Sequence, residues 1–597
     1  MLYKSKLHLY LIILLVGASH STIWSQNIFP TSGSAGIGTI TPASSAILEM
    51  VSTTKGMLAP RMTKAQRDAI TSPATGLLIF QTNATPGFYF FDGAAWRQVG
   101  NGVGANKTLS NLSTPLSINQ ALTPNGNFTL DLGSVSNGWR DAYLQGRIFL
   151  NGVWFMHNGG VRSASLGSLA GFNNTGSNNS FMGEEAGNAN TSGFSNVAIG
   201  AFSLRSNTVG NNMVAIGDSA LFNQTLNIKN NYFNTAVGSK ALLSNTTGAS
   251  NTAVGFEALR SNNLGGFNTA IGSASLKSNT TGIGNTAVGF ETLLSNVGGG
   301  SNTAMGSLAL RANTSGTQNT AIGADAMANN TNGALNVAVG NNALNQNTIG
   351  FANTSLGVFS LSGNSTGNSN TALGHFSLFS NNIGSNNIAI GKSALQLSTV
   401  GNKLVAIGDS ALFNQTVNGS NNYFNTAIGS KTLFNNTTGS SNTAIGFEAM
   451  SNTTTGLNNT AIGASAGLSN GTASNNTMIG TNAGRANLAS DNTFVGADAG
   501  RQNFSGSGNV FMGKNAGAFN STGGNNSIIG FNAGDANTTG FSNTFIGFSA
   551  GSANTTASFN TFIGAAAGLT NTTGTNNTAL GFNAGNKNTT SSDNVFL

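Results

Sequence analysis

From Gly167 onward the chain repeats itself at a short, nearly constant interval. A glycine after an apolar residue recurs at 167, 183, 200, 217, 238, 255, 272, 289 and on to 564 and 581, twenty-five times in all. The steps are 17 residues, with two of 16 and two of 21 as the exceptions. A fixed period below about 20 residues, with two short apolar clusters per period, means β-coils stacked into a solenoid, each touching only its neighbours. The two long steps, Gly217 to Gly238 and Gly408 to Gly429, carry almost the same text, "DSALFNQTLNIKNNYFNTAVGSK" and "DSALFNQTVNGSNNYFNTAIGSK". Gly217 and Gly408 lie 191 residues apart, so a block of eleven coils reads as a duplication.

One coil, "SNTAVGFEALRSNNLGGF", shows the pattern around Gly255. The residue before the glycine is aliphatic or Met, as in Val254, Ile271, Val288 and Met305 before Gly255, Gly272, Gly289 and Gly306. Three after the glycine stands a small residue: Ala258, Ser275, Thr292, Ala309. Side chains alternate along a strand, and the constant spacing stacks each set, so these two sets are expected to form one buried layer. On that expectation Val254→Asp or Ile271→Asp buries a charge and disrupts its coil.

A second layer is visible as an exchange of volume. Where the residue four after the glycine is Leu or Met, the residue two before is Ala or Ser, as in Leu259 with Ala253. Where it becomes Gly, the partner grows: Phe181 with Gly187, Phe494 with Gly500, Phe511 with Gly517, Phe545 with Gly551, Phe562 with Gly568. Large-for-small exchange is what two groups filling one close-packed space require. The coils ending at Gly171, Gly467 and Gly585 break the rule. Both strand faces are therefore apolar, and a solenoid needs only one interior. The second face is expected to be covered by identical chains in a homotrimer; the alternative is a fatter monomeric coil with both layers inside.

Asn precedes the glycine by four in nearly every coil (Asn234, Asn251, Asn268, Asn285). Asn and Gly tolerate the left-handed backbone of a sharp corner, and stacked Asn amides can hydrogen-bond from coil to coil. The many N-T-T and N-T-S triplets also match a glycosylation acceptor, but are read first as turn chemistry.

The N-terminus reads as a targeting signal over residues 1–25. Lys4 and Lys6 precede "LHLYLIILLVGAS", an apolar run shorter than the about 20 residues a membrane span needs. Cleavage after Ser21 or Ser25 fits, an uncleaved anchor is the alternative, and export follows either way. Residues 26–105 form a β-rich module with one short helix. Thr63 and Gln66 make a capping box, and "TGLLIFQT" and "GFYFFDGAAWRQV" are joined by "NATPG" as a hairpin. Residues 106–160 contain further short strands, and residues 161–597 are the solenoid. Either preceding segment could cap the open sheet edge of the first coil.

Composition narrows the function classes. Only 7% of residues are charged, against a usual quarter or so, while 39% are hydrophobic and Pro is scarce, which points to order. The net charge of +7 is scattered, with no helix or stripe to meet nucleic acid. There is no Cys, so no disulfide, thiol chemistry or acylated Cys. Of four His, His8 and His20 lie in or near the signal, and His157 and His375 stand alone, leaving no set of zinc ligands, catalytic triad or paired carboxylates. His375 reads as a repeat variant. Strings such as "GGGSNTAMG" lack the Gly-Lys-Ser/Thr of a phosphate loop, and Asp is too rare for calcium-binding β-roll turns. Arg61, Arg67 and Asp68 could mark a polar site, but an exposed helix face explains them. No catalytic, cofactor or metal residue is expected. The residues that matter are structural: Gly238, Gly255, Gly272, Gly289, Val254, Ile271, Asn251, Asn268 and Ala258.

The coils "NTAVGFEAL" and "NTAIGFEAM" resemble the β-roll heads of trimeric autotransporter adhesins, whose shorter repeats also centre on an apolar-Ile-Gly step. The segment "STTKGMLAPRMTKAQRDAITSPATGLLIFQTNATPGFYFFDGAAWRQV" is similar to the N-terminal module of exported bacterial fibre proteins that often end in an endosialidase-type intramolecular chaperone. "LDLGSVSNGWRDAYLQGRIFLNGV" is similar to a module of phage tail fibres. The resemblance implies a trimeric fibre at the surface of a Gram-negative bacterium or secreted from it, acting in adhesion or as a structural filament.

The expected protein is thus all-β, a parallel β-solenoid, trimeric by the argument above, exported and without enzymatic activity. Its partners are itself and a host, surface or glycan ligand, with no nucleic acid and no membrane span in the mature chain. Two other readings are a monomeric solenoid that binds an ice, crystal or glycan surface, and the stalk of a tail-fibre-like protein whose active or anchoring domain is missing. The ice reading needs an exposed rank of Thr, and Thr252 shares its strand face with Val254, expected to be buried. "NKNTTSSDNVFL" at the end places Asn594, Phe596 and Leu597 at the Asn and apolar positions of a further coil, so the natural protein is expected to continue.

Overall fold

The structure, a computed structural model, describes residues 33–100, the backbone of strands at 148–150 and 153–157, and residues 160–225, 233–416 and 423–597. The expected signal at 1–25 and most of the segment at 106–160 lie outside the described residues. The chain divides into two compact units, Met1–Asp141 and Ala142–Leu597.

In the first unit, β1 (Ala35–Ile37) and β2 (Leu48–Met50) form a parallel pair. A second sheet follows from β3 (Arg61–Met62), β4 (Leu78–Gln81), β5 (Gly87–Phe91) and β6 (Trp96–Gln98), in that order. β4 and β5 are the expected antiparallel hairpin, with Ile79 opposite Tyr89. Between β3 and β4 lies α1 (Lys64–Asp68), started by the Thr63–Gln66 capping box. The Thr63 amide donates to Gln66 Oε1 at 2.8 Å and the Gln66 amide to Thr63 Oγ1 at 3.3 Å, satisfying two of the orphan donors of a helix start. Arg67 departs from the expected exposed helix face: it is only 7% exposed. Its guanidinium lies 4.6 Å from the Tyr89 ring centre and 2.6 Å from Asp68 Oδ1, so it pins the helix to the sheet. Hydrogen bonds from Lys64 and Arg67 hold the Asp68 carboxyl below the usual carboxylate range.

The second unit opens with an antiparallel hairpin, β7 (Ile148–Leu150) and β8 (Val153–His157). β8 pairs antiparallel with β9 (Ala164–Leu166), placing Met156 opposite Leu166, so the hairpin covers the sheet edge of the first coil. From β9 to β34 (Val595–Phe596) each coil contributes one short strand, parallel to and in register with the next. Thr252, Ala253 and Val254 pair with Thr269, Ala270 and Ile271, so every repeat position forms a straight row along the solenoid.

Which rows face inward differs from the sequence expectation. The buried strand row is the residue two before the glycine: Ala253, Ala270, Ala287 and Ala304 are all fully buried. It packs with the residues three and four after the glycine, Ala258 and Leu259 in the coil of Gly255, both fully buried. The residue just before the glycine points outward. Val254 is half-buried, and Ile271 and Met305 are 41% and 43% exposed. Ala258 is therefore interior as expected, whereas Val254 and Ile271 are not. The reason is capacity: a coil this small is filled by one Ala or Phe from the strand and one Leu or Gly from the opposite side, and has no room for a second strand row.

The exchange of volume has a direct geometric basis. A Cβ added to Gly500 would sit 2.8 Å from the Phe494 ring, and one on Gly568 2.4 Å from Phe562. The three exceptions obey the same rule between coils. A Cβ on Gly171 would meet Phe181 at 2.6 Å, one on Gly467 would meet Met478 at 2.6 Å, and one on Gly585 would meet Phe596 at 2.6 Å, each partner belonging to the following coil. A large strand residue thus fills space shared by its own coil and the one before.

Two ladders of buried Asn run along the core, broken at Met213 and Leu404 in the first and at Ser398 and Thr453 in the second. Asn251 Nδ2 donates to Gly265 O at 2.9 Å, and its Oδ1 accepts from the Asn268 amide of the next coil at 3.0 Å. The second ladder stands seven after the glycine: Asn262 Nδ2 donates to Asn245 Oδ1 at 2.6 Å and to Gly265 O at 2.8 Å. These Asn residues, fully buried, are buried donors and acceptors with partners. They are not the left-handed residues. Positive φ falls instead on residues such as Ser250, Glu257 and Leu259, at 58°, 56° and 52°. The repeat glycine itself needs to be glycine: Gly255 has φ of 138°, and a Cβ there would lie 2.5 Å from Gly272 O.

The second ladder has a gap at Thr453, whose buried Oγ1 finds no partner, and Asn436 Oδ1 in the coil before it is orphaned too. Thr453→Asn supplies an amide toward Asn436 Oδ1 and an acceptor toward Asn470 Nδ2, and should stabilise these coils by roughly 1–3 kcal/mol. Slower hydrogen exchange around residues 436–470 is the expected readout; unchanged exchange would mean that the gap costs nothing.

Candidate functional site

Among the described residues, no group of three His, Cys, Asp or Glu is placed to hold a metal ion. His375 is exposed, with its ring 3.9 Å from that of Phe376, and is one member of a row that elsewhere holds Phe256, Phe290 and Ser430. A shallow depression of about 390 Å³ is lined by residues including Thr225, Ser244, Thr246, Ser261 and Thr280. The hydroxyls of Thr246 and Thr280 already donate to Asn263 O and Val297 O of the following coils at 3.3 and 3.1 Å. What the solenoid offers a partner is therefore its long faces.

Residues one, two, five and six after the glycine form a face that carries ion pairs, most of them between coils. Glu257 meets Lys277 at 2.7 Å and Arg260 at 3.4 Å, Glu291 meets Arg311 at 3.0 Å, and Glu185 pairs with Arg205. The hydrogen bond from Lys277 holds the Glu257 carboxyl below its usual range. Its contribution is present above the ordinary Glu pKa and is lost as pH falls through the lowered value, so acid should weaken the Glu257–Lys277 pair.

The strand face is different in kind. Its outward rows are the residues one and three before each glycine. The first is always Val, Ile, Leu or Met; the second is mostly Thr, otherwise Val, Ile, Ser or Ala. None of these positions from Ala164 to Leu580 is charged, and none is buried. Thr252 and Val254 do share a face, as expected, but it is the outer one, so the ground for setting aside a Thr-ranked surface falls away. Exposed aromatic residues flank the rows, Phe256 and Phe290 on one side and Phe233, Phe267 and Phe424 on the other, each more than half exposed. Of the positions singled out in the sequence, Val254 and Ile271 belong to this surface. Gly238, Gly255, Gly272 and Gly289 close the turn after it, and Asn251, Asn268 and Ala258 lie beneath it in the core.

Comparison with known proteins bears on the first unit. Residues 36–114 match the family described as the phage tail like trimerisation region. The chain thus carries a phage tail-like trimerisation region near its N-terminus, followed by a long parallel β-solenoid. Neither the curated proteins nor the solved structures yield a match. Among the described residues no helix is long and apolar enough to cross a membrane.

Proposed function

We propose that the protein is a homotrimeric, tail-fibre-like filament, exported to the cell surface or beyond, where it acts without enzymatic activity as an adhesin or structural spacer. The observation that carries this reading is the match of residues 36–114 to a trimerisation region in the same chain as twenty-five stacked coils. At about 4.8 Å per coil the solenoid extends roughly 120 Å. Reach and repetition are what such a filament contributes, since weak contacts repeated along it, and in three copies, add up through effective concentration. The apolar run after Lys4 and Lys6 supports export.

A second reading, a monomeric solenoid that lays its Thr and aliphatic rows on an ice, crystal or glycan surface, is favoured by the uncharged, in-register rows of the strand face. Sedimentation equilibrium of the chain from Gln26 onward tests the first reading directly. Three times the chain mass is expected; a monomer over the whole accessible concentration range would overturn the trimer. Retention on bacterial or host-cell surfaces, compared with hydrolysis of glycan substrates, separates an adhesin from a fibre-borne hydrolase.

A further inference from the structure

The outward strand face poses a solubility problem that nothing within its own coil solves. Ile271, Met305, Leu356, Leu373 and Met512 are each between 40% and 44% exposed, in one straight row. Monomeric soluble proteins rarely expose contiguous apolar patches beyond a few hundred Å². A strip three residues wide and twenty-five coils long covers on the order of 1,200 Å², against about 800 Å² per partner in a standard stable interface. The rows have the anatomy of an interface core: uncharged, with Thr the main polar member. Charges appear beside them, as at Asp218, Lys392, Asp409 and Lys514, the residues just after the repeat glycines.

We propose that this face, and not the ion-paired or turn faces, is the surface along which three copies of the chain pack. The proposal rests on the trimeric reading above and specifies the surface it uses. The occupant follows from the chain itself. A trimerisation region at residues 36–114 ties three identical solenoids together from the same end, so each meets two others at the effective concentration of a tethered partner. Tethered from one end, the three copies run in the same direction with equivalent coils level. Every row position then meets its own kind, Ile against Ile and Thr against Thr, and no charge is buried. The ion-paired face offers no such match. On the ion-paired face, Glu257 and Lys277 are already bonded to one another across coils, and covering them would desolvate both.

The chain has no Cys, so one introduced thiol is a unique attachment point for a spin label. Ile271→Cys labels the strand face and Thr281→Cys the exposed turn face of the same coil; Ile462→Cys repeats the first measurement far along the solenoid. In the full chain, electron-spin distance measurements should give short distances between copies at 271 and 462, near the about 10 Å at which sheets pack plus the label arms, and clearly longer ones at 281. A trimeric mass with distances at 281 equal to or shorter than those at 271 would overturn the face assignment and leave the trimer standing. A monomeric mass would overturn the trimer itself. Thermal hysteresis by such a monomer would give the face to a crystal surface instead.

Discussion

Ala253→Asp should unfold the coils around it, while Val254→Asp, one residue further along the same strand, should leave them folded. Ala253 is fully buried with Leu259 in the core, in a row with Ala236 and Ala270. An unpaired carboxylate there lacks both water and a hydrogen-bond donor, at a cost of several kcal/mol. Val254 faces outward, where a substitution typically changes the stability of its own coil by about 0.5 kcal/mol or less, whatever it does to packing between copies. Because coils in a solenoid stabilise only their neighbours, the loss should be local: amide protection should fall across residues 236–272 and persist beyond them. Hydrogen exchange on both variants is the measurement. Equal loss in the two would return Val254 to the interior.

Gly500→Leu and Phe494→Ala should each be strongly destabilising alone and much less so together. Leu at this position meets the Phe494 ring, since even a Cβ comes within 2.8 Å of it, and overpacking of this kind costs about 1–3 kcal/mol or more. Phe494→Ala removes a fully buried ring stacked on Phe511 at 5.0 Å, and the resulting cavity costs about 3–5 kcal/mol. The double variant rebuilds the pairing of Ala253 with Leu259. Its backbone is compatible too, because Leu259 adopts φ of 52° and Gly500 φ of 59°. A double-mutant cycle on local unfolding should therefore show a favourable coupling of roughly 2 kcal/mol or more. Additive losses would mean that the two residues do not share one space.

Much of this molecule is legible in the sequence. The glycine spacing predicts a stacked β-coil, and the structure has one strand per coil in register with the next. Thr63 and Gln66 announce the helix start, and "NATPG" the hairpin, because both signals are local. The pairing of Phe494 with Gly500 is legible because only side chains in contact need to trade volume. The three exceptions were not: Gly171 takes its partner from the coil after it, and a rule sought within one coil cannot see across the stack. Arg67 escaped for a similar reason, since the rings that cover it, Tyr89 and Trp96, come from strands later in the chain.

The sequence by itself determined the coil, its number, its straight rows and the fact that two rows of opposite facing are both apolar. Alternation along a strand states that Thr252 and Val254 share one side and Ala253 takes the other, but it is symmetric about which side is inside. Closure of the coil settles it: Ala258 and Leu259 share the core with Ala253, and the small space they enclose holds one strand row. The larger aliphatic row is thereby left outside, on the face that three copies of the chain are proposed to share.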